Sequence, residues 1–385
     1  MQWGPKLVHM RLRTLTFVTL LFVAAIVPAT GAATAGAASM QTDSCTFPYT
    51  ATDATGTEVT LDSDPERVVT LNPSAAQTMW ELGASDEVVG VSKYATYLDG
   101  ADEKQNVSGA NGPSVERVLD ANPDVVLVPN STYAFAKDRV DQIRAQGTTV
   151  FVFETGSSLS FVANKTEQIG RLTGNCEAGR QSAQEIRNSA DLMRKALADE
   201  DKPVALNYFY TYTSGSNTFI GDVMTTAGLT NGAAEANITG FAPINTETVV
   251  EMNPEYIIVP TGATVPDTEA WNSTTAVQEG NIIEVNSNYL QQPAPRSVDA
   301  AETIMQAVHP EAFEEYQSMK AEAETTATES TETTAQTTTA QSTTTQAVND
   351  TTTSAQTATG ADTPGFGIVL TLVSMLAAAL LATRR

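Results

Sequence analysis

Two glutamates fall at matched places in repeated text. Glu116 lies in Ser114-Val115-Glu116-Arg117-Val118-Leu119-Asp120-Ala121-Asn122-Pro123-Asp124-Val125-Val126-Leu127-Val128-Pro129. Glu247 lies in Asn245-Thr246-Glu247-Thr248-Val249-Val250-Glu251-Met252-Asn253-Pro254-Glu255-Tyr256-Ile257-Ile258-Val259-Pro260, 131 positions further on. In each run a helix-capping Ser or Asn precedes the glutamate, and an Asn-Pro step that stops the helix follows. One acidic residue in a first helical turn does no more than favour the helix dipole, by about 0.3–1 kcal/mol. Two of them, one in each of two repeated units, point to two similar α/β lobes, each presenting one glutamate at a matching helix start.

A second set of side chains follows apolar strand-like runs: Asn72, Tyr94, Tyr97, Tyr133, Tyr210, Tyr212, Phe241, Tyr289 and Arg296. Loops at the carboxyl ends of strands line ligand clefts in α/β proteins. Tyrosines offer a ring and a hydroxyl together, which suits a large, flat, partly polar ligand. Arg296 would pair with a ligand carboxylate or phosphate. For any single tyrosine the alternative is ordinary packing or surface placement. The only histidines are His9 and His309. Ser-His and Cys-His constellations therefore fail, and there is no P-loop or Gly-x-Gly-x-x-Gly run. No enzyme and no resident cofactor are expected. The clustered His and carboxylates that hold bare zinc or manganese are missing too.

The elements that must position these residues alternate in type. Short apolar strands at Val68–Leu71, Val88–Val91, Asp124–Val128 and Thr149–Phe153 alternate with helical patterns at Ala75–Leu82 and Ala136–Gln146. Ser74 is a possible cap for the first helix. Cys45–Leu61 alternates around a turn and reads as an edge hairpin. Leu159–Leu172 and Arg180–Leu197 are helical with no strand between Phe153 and Val204. The βα rhythm then resumes, with strands at Val204–Tyr208 and Ile282–Val285 and closing helices at Val298–Val308 and Pro310–Lys320. This is an α/β chain with parallel sheet. It divides into an N-terminal lobe (45–157), linker helices (158–202) and a C-terminal lobe (203–322).

At 385 residues, 41% hydrophobic, the chain can bury two cores, and its net charge of −24 argues against nucleic acid as a partner. Such a surface stays soluble in strong salt. It is either halophile-style or that of a merely acidic secreted protein. Arg11–Arg13, the apolar Leu15–Val27 and the small-x-small Ala35-Gly36-Ala37 read as a signal peptide over 1–37. In an exported chain Cys45 and Cys176 can form one disulfide; otherwise they are two unrelated thiols. Sequons at Asn106, Asn130, Asn164, Asn237, Asn272 and Asn349 offer glycan sites. Residues 323–363, rich in Thr, cannot build a core and read as a disordered stalk. Residues 364–385 follow, with Pro364-Gly365-Phe366, an apolar Ile368–Ala382 and terminal arginines.

That C-terminal order resembles the tripartite sorting signal of halophilic archaea. The resemblance implies that an archaeosortase removes the tail and joins the new C-terminus to a lipid. A plain single-pass anchor is the alternative, and either leaves the body tethered outside the cell. The body, over about Pro65 to Pro310, resembles the substrate-binding proteins of ATP-driven importers of the vitamin B12 and iron-siderophore family. Pro65-Glu66-Arg67-Val68-Val69-Thr70-Leu71, Glu81-Leu82-Gly83, Val88-Val89-Gly90-Val91, both repeated runs and Pro295-Arg296 carry it. The resemblance implies two Rossmann-like lobes joined by one long rigid helix, a ligand between them, and Glu116 and Glu247 docking on permease arginines. With histidine clusters missing, the cargo is expected to be a chelate: a corrinoid, a ferric siderophore or haem. A surface structural or adhesive protein without a small ligand is the rival reading.

Overall fold

The structure, a computed structural model, describes residues 45–341. The expected signal peptide, Asn349 and residues 342–385, with the Pro364-Gly365-Phe366 motif, lie outside the described residues. The chain forms two compact units, one through Lys320 and one from Ala321 onward.

The first unit opens with a hairpin of β1 (Tyr49–Thr52) and β2 (Glu58–Leu61). Then come β3 (Val68–Thr70), α1 (Pro73–Glu81), β4 (Val88–Val91) and β5 (Gln105–Asn106). A small hairpin of β6 (Ser108–Gly109) and β7 (Gly112–Pro113) leads into α2 (Val115–Asp120), β8 (Val125–Pro129), α3 (Asn130–Ala145) and β9 (Val150–Phe153). Five strands make a parallel sheet in the order β5-β4-β3-β8-β9. This is a doubly wound order, and it reverses between β3 and β8. Every residue of β8 is buried, as a strand covered on both faces requires. Asn72 caps α1 by accepting from the Ser74 N–H at 2.8 Å, with Pro73 in the first turn. The cap is therefore Asn72 where Ser74 was expected, because Pro73 has no N–H to lose and its fixed φ suits the first helical position.

The C-terminal lobe contains β10 (Val204–Asn207), β11 (Tyr212–Ser214), α6 (Phe219–Thr226), β12 (Thr230–Asn231), α7 (Gly232–Glu235) and β13 (Phe241–Pro243). It continues with α8 (Thr246–Met252), β14 (Tyr256–Pro260), α9 (Glu269–Asn272), α10 (Thr275–Glu279), β15 (Ile282–Val285), α11 (Ser287–Leu290) and α12 (Ser297–Val308). Its parallel sheet runs β12-β10-β14-β15, and the order reverses between β10 and β14. β11 and β13 form a separate antiparallel ribbon.

Between the lobes lie α4 (Leu159–Leu172) and α5 (Cys176–Ala196). The bridging falls to α4. Its Leu159, Val162 and Ala163 pack into the C-terminal core with Phe219 and Met224, while Ile169 and Leu172 pack into the N-terminal core with Met79 and Phe151. The longer α5 lies along α4 and feeds Ala183, Ile186, Ala190 and Met193 into the C-terminal core. The two helices meet closely at Gly170 and Gly179, where a Cβ on Gly170 would stand 2.9 Å from the Gly179 Cα. The Cys45 and Cys176 sulfurs are 1.91 Å apart with Cα atoms at 5.6 Å, so the first described residue is tied to the start of α5.

Two sequence expectations change. The helix expected over 136–146 begins at Asn130, and Ala136 (φ −128°, ψ 34°) marks a kink inside it. Asn130, Ser131 and Thr132 supply the first helical turn after Pro129. The last helix, α13 (Pro310–Gln341), continues into the segment expected to be a disordered stalk. Extending a helix already nucleated upstream costs little, and Ala321 to Glu324 are good helix formers.

Candidate functional site: the cleft between the lobes

The repeated runs fold into matching pieces. Ser114 accepts from the Arg117 N–H at 3.4 Å to start α2, and Asn245 accepts from the Thr248 N–H at 2.8 Å to start α8. Asn122 and Asn253 end these helices with φ of 45° and 44°. Asn tolerates this left-handed conformation better than most residues. A third matched pair is structural: Asp124 accepts from the backbone N–H groups of Glu66 and Arg67, and Glu255 from that of Val204. Glu116 and Glu247 stay exposed in their first turns, one on each lobe.

Ligand crevices in open α/β sheets form at the carboxyl ends of strands where the order reverses. Both lobes present that place to one cavity of about 560 Å³. Pro129, Asn130 and Ser131 reach it from the end of β8, and Phe209 from just beyond β10. Phe153 and Glu154 at the end of β9 join them, with Phe161 and Lys165 from α4 and Gln291 and Pro293 from the loop before α12. The wall carries five phenylalanines: Phe153, Phe161, Phe209, Phe219 and Phe241. Phe209 and Phe241 meet edge to face, ring centroids 6.1 Å apart. Gly156 is required beneath Phe161, since a Cβ there would lie 1.7 Å from the ring. A second cavity of about 360 Å³ shares Ser131 and is lined by Asn72, Ser92, Lys93, Tyr94 and Phe135 among others.

The sequence-expected residues divide into three groups. Phe241 lines the larger cavity, and Asn72 and Tyr94 line the smaller. Tyr210 and Tyr212 sit on the ribbon beside Phe209, with the Tyr212 and Phe209 rings stacked at 6.2 Å. Tyr210 and Thr211 form a two-residue turn with φ of 47° and 77°, closed by paired hydrogen bonds between Phe209 and Tyr212. That turn holds Tyr210 70% exposed. The ribbon is braced from below, where Ser214 donates to buried Asn207 at 2.8 Å and Asn231 donates to the Ser214 carbonyl at 2.9 Å.

Four residues belong elsewhere. Tyr133 lies within α3, packs on the N-terminal core and donates to Asp141 at 3.2 Å. Tyr97, Tyr289 and Arg296 form a clasp between the lobes. Buried Gln77 on α1 donates to the Tyr97 hydroxyl (2.9 Å) and the Asn288 carbonyl (3.2 Å), and accepts from the Arg296 N–H (3.1 Å). Arg296 also pairs with Glu81 at 2.7 Å and lies over the Tyr289 ring. The expected ligand arginine is thus committed to a lobe-to-lobe contact. Burial raises the Tyr97 hydroxyl pKa despite the Gln77 bond.

Lys165, Phe161, Phe209 and Phe135 were missed in sequence. Lys165 did leave a signal, falling on the apolar stripe of α4 with Val162 and Ile169. It is only 4% exposed. Its ammonium donates to the Pro293 carbonyl and to the Ser74 hydroxyl at 3.4 Å. Burial alone pulls its pKa down to about 7.

Among families of known proteins, residues 68–289 match the one described as periplasmic binding protein. The chain belongs to the periplasmic binding protein family. A relative named cobalamin-binding protein, from Halobacterium salinarum, is 40% identical over 316 residues, covering 76% of this chain and 84% of its own. The vitamin B12-binding protein of Yersinia pestis is 25% identical over 246 residues, 63% of this chain and 85% of its own. The fold is shared with a periplasmic haem-binding protein from Roseiflexus at TM-score 0.57 and 24% identity, covering 65% of this chain and 99% of that one. It is also shared with the periplasmic vitamin B12 binding protein of Vibrio cholerae at TM-score 0.55 and 21% identity, covering 66% and 98%. Residues 363–385 match the PGF-CTERM motif, which indicates C-terminal anchoring at the cell surface.

Proposed function

We propose that this periplasmic binding protein captures a corrinoid between its lobes and delivers it to the permease of an ATP-driven importer. The observation that carries the reading is the cavity of about 560 Å³ that opens at the strand ends of both lobes and has five phenylalanines among its lining residues. Aromatic rings in that arrangement suit a broad macrocycle whose faces are apolar and whose rim is polar. The relative named cobalamin-binding protein supports a corrinoid ahead of a ferric siderophore or haem. Glu116 and Glu247, exposed at matching helix starts on separate lobes, are the docking points for permease arginines. The N-terminal segment directs export. An archaeosortase acts at Pro364-Gly365-Phe366 and leaves the receptor on a lipid outside the cell.

Thermal shift with cyanocobalamin, haemin and a ferric siderophore tests this reading. Cyanocobalamin at about 100 times its Kd should stabilise the protein by roughly 2.7 kcal/mol. A response to none of the three would leave the structural or adhesive reading standing.

A further inference from the structure

Lys165 is a buried amine whose hydrogen-bond partners are both neutral, the Pro293 carbonyl and the Ser74 hydroxyl. Buried charges are ordinarily paired, because an unpaired one loses its hydration without compensation. Three carboxylates on neighbouring elements are engaged elsewhere. Glu81 on α1 holds Arg296, Glu167 on α4 holds Arg171 and Arg187, and Asp222 on α6 accepts from the Leu159 N–H. Glu154 lines the same cavity from its exposed rim. An ammonium carries three donors, and the two partners leave one open. Lys165 lies at mid-helix on the element that joins both cores, between a Ser of one lobe and a Pro carbonyl of the other, and lines a cavity that also carries five phenylalanines.

We propose that Lys165 is the anion contact of the cleft, taking an anionic oxygen group on the rim of the bound chelate, a phosphate or a carboxylate. The inference rests on the corrinoid reading above and deepens it: a corrinoid with a nucleotide loop carries a phosphodiester, and haem carries propionates. In a poorly hydrated site such a contact is strengthened by the apolar surroundings. The anion also restores the charge that burial suppresses, so ligand entry is coupled to proton uptake by Lys165.

The test uses the full chain and matched probes. Wild-type protein and Lys165→Met are titrated with cyanocobalamin and with dicyanocobinamide, which lacks the phosphate, and with haemin and its dimethyl ester. The variant should weaken cyanocobalamin by about tenfold or more and change dicyanocobinamide by no more than about twofold. A selective loss for haemin over its ester would assign the site to carboxylate instead. Calorimetry of the wild type at pH 8 in two buffers of different ionisation enthalpy supplies a reading that needs no variant. Cyanocobalamin should bring uptake approaching about one proton, and dicyanocobinamide none. Equal losses for phosphate-bearing and phosphate-free probes, or no proton uptake, would overturn the anion contact while leaving the receptor reading intact. Failure of the wild type to bind any probe would remove the receptor reading and the anion contact together.

Discussion

Arg296 donates its Nε–H to the Glu81 carboxylate at 2.7 Å across the boundary between the lobes. The same residue donates its backbone N–H to Gln77, one helical turn away on α1. The ion pair is only part-buried, so solvent screens it and its coupling should be about 0.5–1 kcal/mol in a double-mutant cycle of Glu81→Gln and Arg296→Gln. Gln77 is fully buried and serves three partners on both lobes. Gln77→Ala strands those groups and should cost roughly 2–4 kcal/mol. Denaturant titration ranks the two, and a Glu81→Gln loss as large as that of Gln77→Ala would contradict the ranking.

Lys165 gives the protein a pH dependence of definite sign. Its folded pKa is lowered to about 7 from an ordinary 10.5, so below pH 7 the fold bears the full cost of burying the cation. Between about 7 and 10.5 the unfolded chain holds a proton that the folded chain has released, so this contribution to stability rises with pH. Without ligand, Lys165→Met should therefore be more stable than wild type at pH 6, and the gain should shrink toward pH 10. Melting temperatures across that range check it, with roughly 2–4 °C for each kcal/mol. A gain that is the same at both ends would show that the lysine does not titrate in the fold.

The Tyr210-Thr211 turn places two non-glycine residues at positive φ beside the cavity. Asn-Gly suits such a turn far better, and strain of this kind costs on the order of 1–3 kcal/mol per residue. Tyr210→Asn with Thr211→Gly should raise the melting temperature and weaken cyanocobalamin binding, because the exposed ring next to cavity-lining Phe209 is lost. Unchanged affinity would remove Tyr210 from the ligand site.

Glu116 and Glu247 sit at helix starts, where removal of one carboxylate costs stability only about 0.3–1 kcal/mol. Glu116→Ala with Glu247→Ala should leave cyanocobalamin affinity as it was and abolish stimulation of ATP hydrolysis by the reconstituted importer. Stimulation that survives in the double variant would place the docking surface elsewhere.

Much of the architecture was legible in the chain. Period-two and near-3.6 patterns, Asn-Pro stops and capping residues are local features, so the alternation of strands and helices and the matched α2 and α8 starts could be read directly. The cleft was legible only in part. Tyr94 and Asn72 follow strands and do reach the smaller cavity, and Phe241, which opens strand β13, reaches the larger. Tyr133, Tyr97, Tyr289 and Arg296 have the same local signature, yet helix α3 and the clasp claim them.

By itself the sequence determined the two-lobed α/β plan, the exposed glutamate on each lobe and the sorting motif at the C-terminus. Each of these depends on residues close together along the chain. Only the tertiary structure decided which side chains meet across the lobes. Lys165 comes beside Ser74 and Pro293, 91 and 128 positions away, because α4 runs through both cores. Arg296 meets Glu81 across 215 positions because the loop before α12 folds back on α1. Such contacts follow from how helices and sheets pack, and that packing sets which polar groups are left open to a ligand.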